Sequence, residues 1–368
     1  MNRFIEYTIV LAMVFAFQNA MAQYEFFNEN RVECTGVKSQ DITGTCWSFS
    51  TASFIESELI RLGKGSHNLS EMFVVRSIYQ DKARNYMLRQ GEANFSQGAL
   101  AHDLLRAFET NGCMPESAYS GLLGADSTHN HAELESGLKG FLDGARKGRK
   151  LSSQWSIAFD GILNAYIGES PDEFEYNGKS YTPMSFYKSL EINTDDYVSL
   201  TSFTHHPFDS EFILEIPDNY SNGTYFNVEL DELVKTIDNA IENGFSIAWD
   251  GDVSEKTFRM KEGLAIIPKD IKRDSLYDLP GEEIEVTSIN RQQNFENLTT
   301  TDDHLMHLLG IAQDVNGVRY YIIKNSWGET GHFDGYLYMS ESYLRMKTIG
   351  LLMHKDALPK SILDKIKG

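Results

Sequence analysis

The sequence predicts an α+β fold with two lobes, the first mainly helical and the second richer in strands. Between Cys46 and Thr110, apolar residues recur at three- and four-residue spacing and the runs end at glycine, as in helices. After residue 196, short apolar runs bounded by turn residues are typical of strands. The chain has 368 residues, 41% of them apolar, which is enough to bury a large core. No internal repeat interrupts either half.

The N-terminus has the pattern of a secretory signal peptide. A basic start at Met1-Asn2-Arg3 precedes a short apolar run over 9–17, and Ala20-Met21-Ala22 forms a small-residue cleavage site. The apolar run is too short for a membrane anchor. We therefore predict cleavage near Ala22 and an exported protein, periplasmic or secreted, without a stable membrane anchor. The predicted units are 1–22 (signal peptide), 23–195 (mainly helical lobe with an insertion) and 196–368 (mainly β lobe with a C-terminal tail).

Charge and cysteine content narrow the possible partners. The formal net charge of −20 argues against nucleic acid and anionic membranes as partners. Three cysteines do not make a disulfide framework. A single bridge between Cys34 and Cys113 is left open, because their separation in space cannot be derived from the sequence.

The helical half divides at its glycine and capping residues. The first helix begins at Cys46 and stops at Gly63. The segment from Ser120 to Lys150 is small, polar and glycine-rich, which predicts an insertion around short helices. Further helices are predicted, in order, over 70–88, 99–110 and 151–170, and from Pro183 onwards.

The second half alternates strands with turns. The pair Asn177-Gly178 predicts a hairpin, and Asn316-Gly317 predicts a turn between the last two strands. The polar run 287–303 is predicted to be a loop. The predicted strands are 197–204, 211–216, 225–229, 245–249, 304–313 and 319–325, and a helix is predicted over 231–243.

Cys46 is the first candidate for chemistry. A thiol in the first turn of a helix feels the partial positive charge of the helix N-terminus, which favours the nucleophilic thiolate. A buried structural cysteine is the alternative, and a lone cysteine does not distinguish them.

A cysteine nucleophile needs a base, usually histidine, and a group that orients that base. His304 and His307 both lie in the predicted strand that precedes Asn325. Three residues apart in a strand means opposite faces, so only one of them can face a cleft, and the residues alone do not choose. No His-Glu-x-x-His pattern is present, so no metal site is predicted.

The spacing of this hairpin raises a geometric question. A strict two-residue turn at Asn316-Gly317 would place Asn325 opposite Leu308 rather than His304. The alternatives are a longer or bulged connection, or side chains that meet diagonally.

Three blocks of the sequence together resemble the papain-like cysteine peptidases. Gln40 to Ser50 matches the signature Q-x-x-x-G-x-C-W-x-F-S, Asp303-His304 with Gly310 matches the histidine strand, and Asn325-Ser326-Trp327-Gly328 matches N-S-W-G. The resemblance implies a papain-like two-lobed fold, with the cysteine on the helical lobe and the histidine and asparagine on an antiparallel β lobe. The roles it implies are these: Cys46 as nucleophile, His304 as base and acid, Asn325 as orienter of His304, Gln40 as oxyanion donor and Trp327 as a shield of the His304–Asn325 pair. His307 is then a packed or surface residue.

The resemblance narrows to the bleomycin hydrolase and aminopeptidase C branch. Thr43 stands where secreted papain-type enzymes usually have a disulfide cysteine, and the segment between the cysteine and histidine blocks is long. The branch implies removal of N-terminal residues, a C-terminal arm whose carboxylate holds the substrate amino group, and a homo-oligomer. The tail 358–368 is predicted to be either that arm or a frayed basic helix.

The prediction for function is an exported cysteine peptidase, an aminopeptidase acting on peptide substrates without metal or cofactor. An endopeptidase and a non-catalytic peptide-binding module on the same scaffold are the alternatives. His205-His206-Pro207 is interpreted as an exposed loop. Asp250 and Asp252 are interpreted as turn residues or, alternatively, as ligands of a substrate ammonium.

Overall fold

The computed structural model describes residues 24–124, 127–148 and 150–367. The predicted signal peptide, 1–22, lies outside the described residues. The helices are α1 (Cys46–Arg61), α2 (Glu71–Leu88), α3 (Ala101–Asn111), α4 (Ala132–Ala145), α5 (Gln154–Ile167), α6 (Pro183–Leu190), α7 (Leu230–Glu242), α8 (Ser288–Glu296), α9 (Glu341–Lys347) and α10 (Lys360–Lys367).

The strands follow the predicted distribution, with most of them in the second half. They are β1 (Phe27–Arg31), β2 (Phe174–Tyr176), β3 (Lys179–Tyr181), β4 (Tyr197–Thr201), β5 (Ser210–Ile213), β6 (Thr224–Asn227), β7 (Ile247–Gly251), β8 (Phe258–Arg259), β9 (Leu264–Ala265), β10 (His304–Gln313), β11 (Arg319–Lys324), β12 (Tyr336–Ser340) and β13 (Thr348–His354). Strands β2 and β3 form the hairpin predicted at Asn177-Gly178.

One large sheet organises the second half of the chain. Its strands lie in the order β5-β6-β4-β13-β7-β10-β11-β12-β9-β8, and β1 pairs with the far half of β10. Strand β10 is central, because β7 and β1 share one of its edges and β11 takes the other. A central strand is buried on both faces, which agrees with its almost continuous apolar sequence.

The two faces of β10 contact different cores. Leu305 of β10 and Ala248 of β7, which lies opposite His307, belong to the core of the helical lobe, which also contains residues of α1. Met306 and Leu308 face the opposite core, which helix α7 covers. Helix α1 therefore packs on one face of the sheet, directly against the strand that carries both candidate histidines.

Several segments differ from the prediction. Strand β1 was not predicted, and β12, α9 and β13 follow the two strands that were predicted to be the last. The polar run 287–303 contains helix α8, capped by Thr287, whose side chain accepts a hydrogen bond from the Asn290 N–H. The insertion contains α4, which spans four turns rather than a short element and buries Leu134, Leu138 and Leu142.

The C-terminal tail forms the packed helix α10. Ile362 is buried in the core beneath α7, and Lys365 pairs with Glu232 of α7 (3.1 Å) and with Asp209 (2.8 Å). Through Lys367 the tail is thus a docked amphipathic helix. Within the described parts of the chain, no helix combines the length and the apolar character needed to cross a membrane.

Candidate active site

Helix α1 carries the predicted nucleophile as its first residue. Cys46 directly follows Thr45, and its side chain is 8% exposed. Gln97 braces the start of the helix: its Oε1 accepts a hydrogen bond from the Gly44 N–H (2.7 Å), and its carbonyl accepts one from Trp47 Nε1 (3.0 Å). The backbone N–H of Cys46 lies in the first turn and has no acceptor within the helix.

His304 is the first residue of β10 and contacts Asn325. Its Nε2 lies 2.8 Å from Asn325 Oδ1, and both side chains are buried. The same Oδ1 accepts the Ser326 N–H (2.7 Å), which identifies it as the carbonyl oxygen of the amide. Because that oxygen only accepts, Nε2 of His304 carries the proton and Nδ1 keeps a free lone pair.

A bulge and a diagonal contact together bring the two residues together. The β10–β11 register shifts between Leu308 and Gly310. At the end of the hairpin that is far from the turn, Lys324 therefore lies opposite His307. Asn325 comes next, past the end of β11, so it reaches His304 diagonally rather than directly across. The strict two-residue turn considered for this hairpin is therefore not what the chain adopts.

Trp327 covers the outer side of this pair. Its ring lies 4.8 Å from the His304 ring at an angle of 32°, and Phe258 meets it edge-on at 5.9 Å. The indole remains 37% exposed, so it separates the His304 side chain from bulk solvent. This geometry is what shielding of the His304–Asn325 hydrogen bond requires.

The Gln40 side chain is held at both ends. Its Oε1 accepts a hydrogen bond from Ser326 Oγ (2.7 Å), and its Nε2 donates to the Thr43 carbonyl (2.6 Å). The amide nitrogen carries two protons, so one N–H is left for a further acceptor. Gln40 lines the same cavity as Cys46.

Cys46 and His304 line one cavity of about 550 Å³. Residues 40–47 and 94–99 form one side, and residues 302–305 with Trp327 form the other. The volume is in the range of small-molecule and peptide subsites. Four of the five predicted site residues, Gln40, Cys46, His304 and Trp327, line this cavity, and Asn325 contacts His304 without lining it. Their catalytic roles stay predictions.

His307 has different surroundings. It is fully buried beneath α1, and its Nδ1 lies 2.9 Å from Ser53 Oγ. Ser53 also accepts a hydrogen bond from Lys324 Nζ (2.8 Å). His307 does not line the cavity that contains Cys46.

Burial dominates the electrostatics of the predicted pair. It raises the pKa of Cys46 to about 12, and the carboxylates of Asp302, Asp250 and Asp218 add to that rise. Burial also lowers the pKa of His304 to about 4, while the hydrogen bond to Asn325 opposes the fall. Each group alone is therefore neutral near pH 7, and the helix N-terminus does not by itself produce the expected thiolate.

Three acidic residues that line the cleft, Glu135, Asp218 and Asp302, were not singled out from the sequence. Asp250, which was considered, lies behind Asp302. The Asp302-Asp303 doublet directly before His304 was the available signal. Asp218 is far away in the chain and carries no motif.

The remaining candidates lie outside the cleft. Cys34 and Cys113, like Cys46, are free thiols, so the bridge between them is not formed. His205 and His206 both contact the Glu215 carboxylate (3.2 and 2.8 Å), and these three residues are spaced as metal ligands could be. None of them lines the cavity of Cys46.

Comparison with known proteins defines the class. The model of the Peptidase C1-like family matches residues 167–368. In fold, the chain is similar to the crystal structure of PepW from Lactobacillus rhamnosis, with a TM-score of 0.74, 20% identity, and coverage of 94% of this chain and 85% of that one. The predicted papain-like α+β fold is thereby confirmed.

Curated relatives agree with this assignment. Aminopeptidase G of Lactobacillus delbrueckii is 25% identical over 209 residues, which are 53% of this chain and 46% of the relative. Aminopeptidase C of Listeria innocua is 28% identical over 219 residues, 55% of this chain and 48% of the relative. The aligned part thus spans about half the length of these relatives. The chain belongs to the Peptidase C1-like family, in the bleomycin hydrolase and aminopeptidase C branch of the papain-like cysteine peptidases.

Proposed function

We propose that the protein is a cysteine peptidase that removes N-terminal residues from peptides by a Cys-His-Asn mechanism. The observation that carries this proposal is the placement of His304, which borders the cavity of Cys46 and donates from Nε2 to Asn325 (2.8 Å). That contact orients the ring and leaves Nδ1 as the basic nitrogen.

In the proposed mechanism, His304 Nδ1 takes the Cys46 thiol proton as Sγ attacks the substrate carbonyl carbon. The tetrahedral intermediate collapses to a thioester, and His304 gives the proton to the leaving amine. His304 then takes a proton from water, whose oxygen attacks the thioester. The carboxylic acid product leaves as Cys46 recovers its proton.

The charge balance of the cleft fits proton transfer within the pair. Burial disfavours the thiolate and the imidazolium separately, as the pKa of Cys46 (about 12) and that of His304 (about 4) indicate. A thiolate and an imidazolium in contact neutralise each other, and Asn325 supports the imidazolium as an acceptor. The reactive form is therefore the ion pair, formed as substrate enters.

Gln40 is the proposed side-chain donor to the oxyanion, together with the Cys46 backbone N–H. Gln40→Ala should lower kcat by about 100-fold with little change in KM, because an oxyanion donor acts mainly in the transition state. Steady-state kinetics measure this effect, and Gln80→Ala, an exposed glutamine outside the cleft, is the control. An unchanged kcat in Gln40→Ala would remove Gln40 from the mechanism.

Substrates that differ only at the amino terminus test the exopeptidase assignment. Peptides with a free amine should be shortened from the N-terminus, whereas their N-acetylated forms should resist. Mass spectrometry of the products measures both. Internal cleavage of acetylated peptides would favour the endopeptidase alternative, and absence of thiol reactivity at neutral pH would favour the binding module.

Export after cleavage near Ala22 belongs to the same proposal and is supported by the pattern of residues 1–22 alone. The intact mass of the protein from a secreting host would locate the cleavage. The homo-oligomer implied by the family resemblance is likewise a proposal, which size-exclusion chromatography with light scattering tests.

A further inference from the structure

The cavity beside Cys46 is acidic. Its charged lining consists of Glu135, Asp218, Asp302 and Asp303, and no described Lys or Arg lines it. A cleft with one sign of charge and low-dielectric walls concentrates ligands of the opposite charge. The lining therefore favours a cationic ligand group.

Two of the nearby carboxyls face each other. Asp250 is 3% exposed and has no hydrogen-bond partner other than the carboxyl of Asp302, and no other residue donates to the buried Oδ2 of Asp302. Asp252 provides the contrast, since it accepts hydrogen bonds from Ser254 and Thr301. Two carboxyls that share one proton still carry one negative charge, so this pair can accept a cationic donor from outside the protein.

These carboxylates adjoin the nucleophile. Asp250, on β7, lies opposite Leu305 of β10, and its carboxyl is within hydrogen-bonding reach of that of Asp302. Asp302 lines the cavity, and its charge acts on the Cys46 thiol more strongly than that of any other carboxylate. In a peptide that loses its first residue, the α-nitrogen is two bonds from the attacked carbonyl carbon. Its binding group must therefore lie in the same cavity as Cys46, as Asp302 does.

We propose that Asp302, supported by Asp250, binds the α-ammonium of the substrate and limits cleavage to single N-terminal residues. The inference rests on the proposed function and names the residue that selects the substrate. The resemblance implied that a C-terminal arm does this work. Residues 358–367 pack against α7 and do not line the cavity, whereas the side chain of Asp302 does.

The pH dependence of binding follows from the groups that face Asp302. Burial, then the charge of Asp218, raises its pKa to about 7, while a hydrogen bond from Asp250 opposes the rise. The groups that face it from the packed elements are the carboxyls of Asp218, Asp250 and Asp303, the Lys82 ammonium, the Tyr225 hydroxyl and the Cys46 thiol. Below pH 7 Asp302 becomes neutral, and above about pH 8 the α-ammonium loses its proton. KM for free-amine substrates should therefore be lowest between these limits.

The direct test compares an aminoacyl p-nitroanilide with its N-acetyl form in wild type and in Asp302→Asn. The variant should lose about 10- to 100-fold in kcat/KM on the free-amine substrate, mostly through KM, because a charge-assisted hydrogen bond is lost. Asp172→Asn is the matched control, since this carboxylate is exposed and does not line the cavity. A preference for free amines that survives in Asp302→Asn would overturn the proposal.

A measurement that does not depend on turnover tests the ammonium site separately from the proposed peptidase function. Leucinamide should slow alkylation of Cys46 by iodoacetamide in wild type but not in Asp302→Asn, and N-acetyl-leucinamide should slow neither. Circular dichroism and thermal unfolding show whether the variant is folded, and protection is measured in each protein as the ratio of alkylation rates without and with ligand. Protection without hydrolysis would contradict the proposed function and leave the ammonium site intact, whereas equal protection of both proteins would overturn the site.

Variants of Asp250 test its supporting role. Asp250→Asn keeps a hydrogen-bond donor towards Asp302, so the lower pH limit of binding should stay near 7. Asp250→Ala removes the donor, so the pKa of Asp302 and the lower limit should move upwards. Identical KM–pH profiles in the two variants would contradict a role for Asp250.

Discussion

Cys46→Ala is expected to lower peptide hydrolysis by at least about 10⁴-fold, because no other group of the cleft can form the thioester. Labelling by an epoxysuccinyl thiol-protease inhibitor should disappear with it. The fold should persist, since alanine keeps the helix start and removes only one atom from a side chain that borders an open cavity.

Cys34→Ala is the matched control. Cys34 is partly exposed, contacts the Tyr336 hydroxyl at 3.5 Å, and does not line the cavity. This variant should keep both turnover and labelling. The comparison is made on steady-state rates and on the mass of the labelled protein. Turnover that survives in Cys46→Ala would contradict the nucleophile assignment and, with it, the whole mechanism.

Replacement of the two histidines should give opposite results. His304→Ala should lower kcat by about 10³-fold, because general acid–base catalysis is lost while the cavity stays open. His307→Ala should keep turnover but lower the free energy of unfolding by about 2–4 kcal/mol, because a fully buried ring is lost beneath α1.

Denaturant unfolding and steady-state kinetics of both variants measure these effects. His332→Ala serves as the control for histidine replacement, since this residue neither borders the cavity nor lies beneath α1. A large loss of kcat in His307→Ala at full stability would reverse the assignment. It would also mean that β10 presents its other face to the substrate during catalysis.

The polar run 287–303 shows where local pattern is a poor guide. It was predicted as a loop because it lacks an apolar stripe, yet Ser288–Glu296 is helical. Arg291 of this helix is buried and donates to the carbonyls of Ser202 and Arg345, both at 2.8 Å. The buried face of this helix is thus polar, and its hydrogen-bond acceptors are residues far away in the chain. Periodicity of apolar residues cannot indicate such a face.

The position of the C-terminal segment could not be predicted from its own sequence either. Its basic composition is compatible with a frayed helix or with an arm. The contacts of Ile362 with the core and of Lys365 with Glu232 hold it against α7. Neither partner is near in sequence, so the choice depended on tertiary packing.

The sequence by itself determined the helix that starts at Cys46, the α+β class and the family, because these follow from local periodicity and from the order of three motifs. It also named the groups that the chemistry requires. Tertiary structure decided the rest: the bulge that lets Asn325 reach His304, the cavity that His304 lines and His307 does not, and the pairing of the Asp250 and Asp302 carboxyls. Each of these depends on contacts between distant segments and on exclusion of water, which no local pattern records.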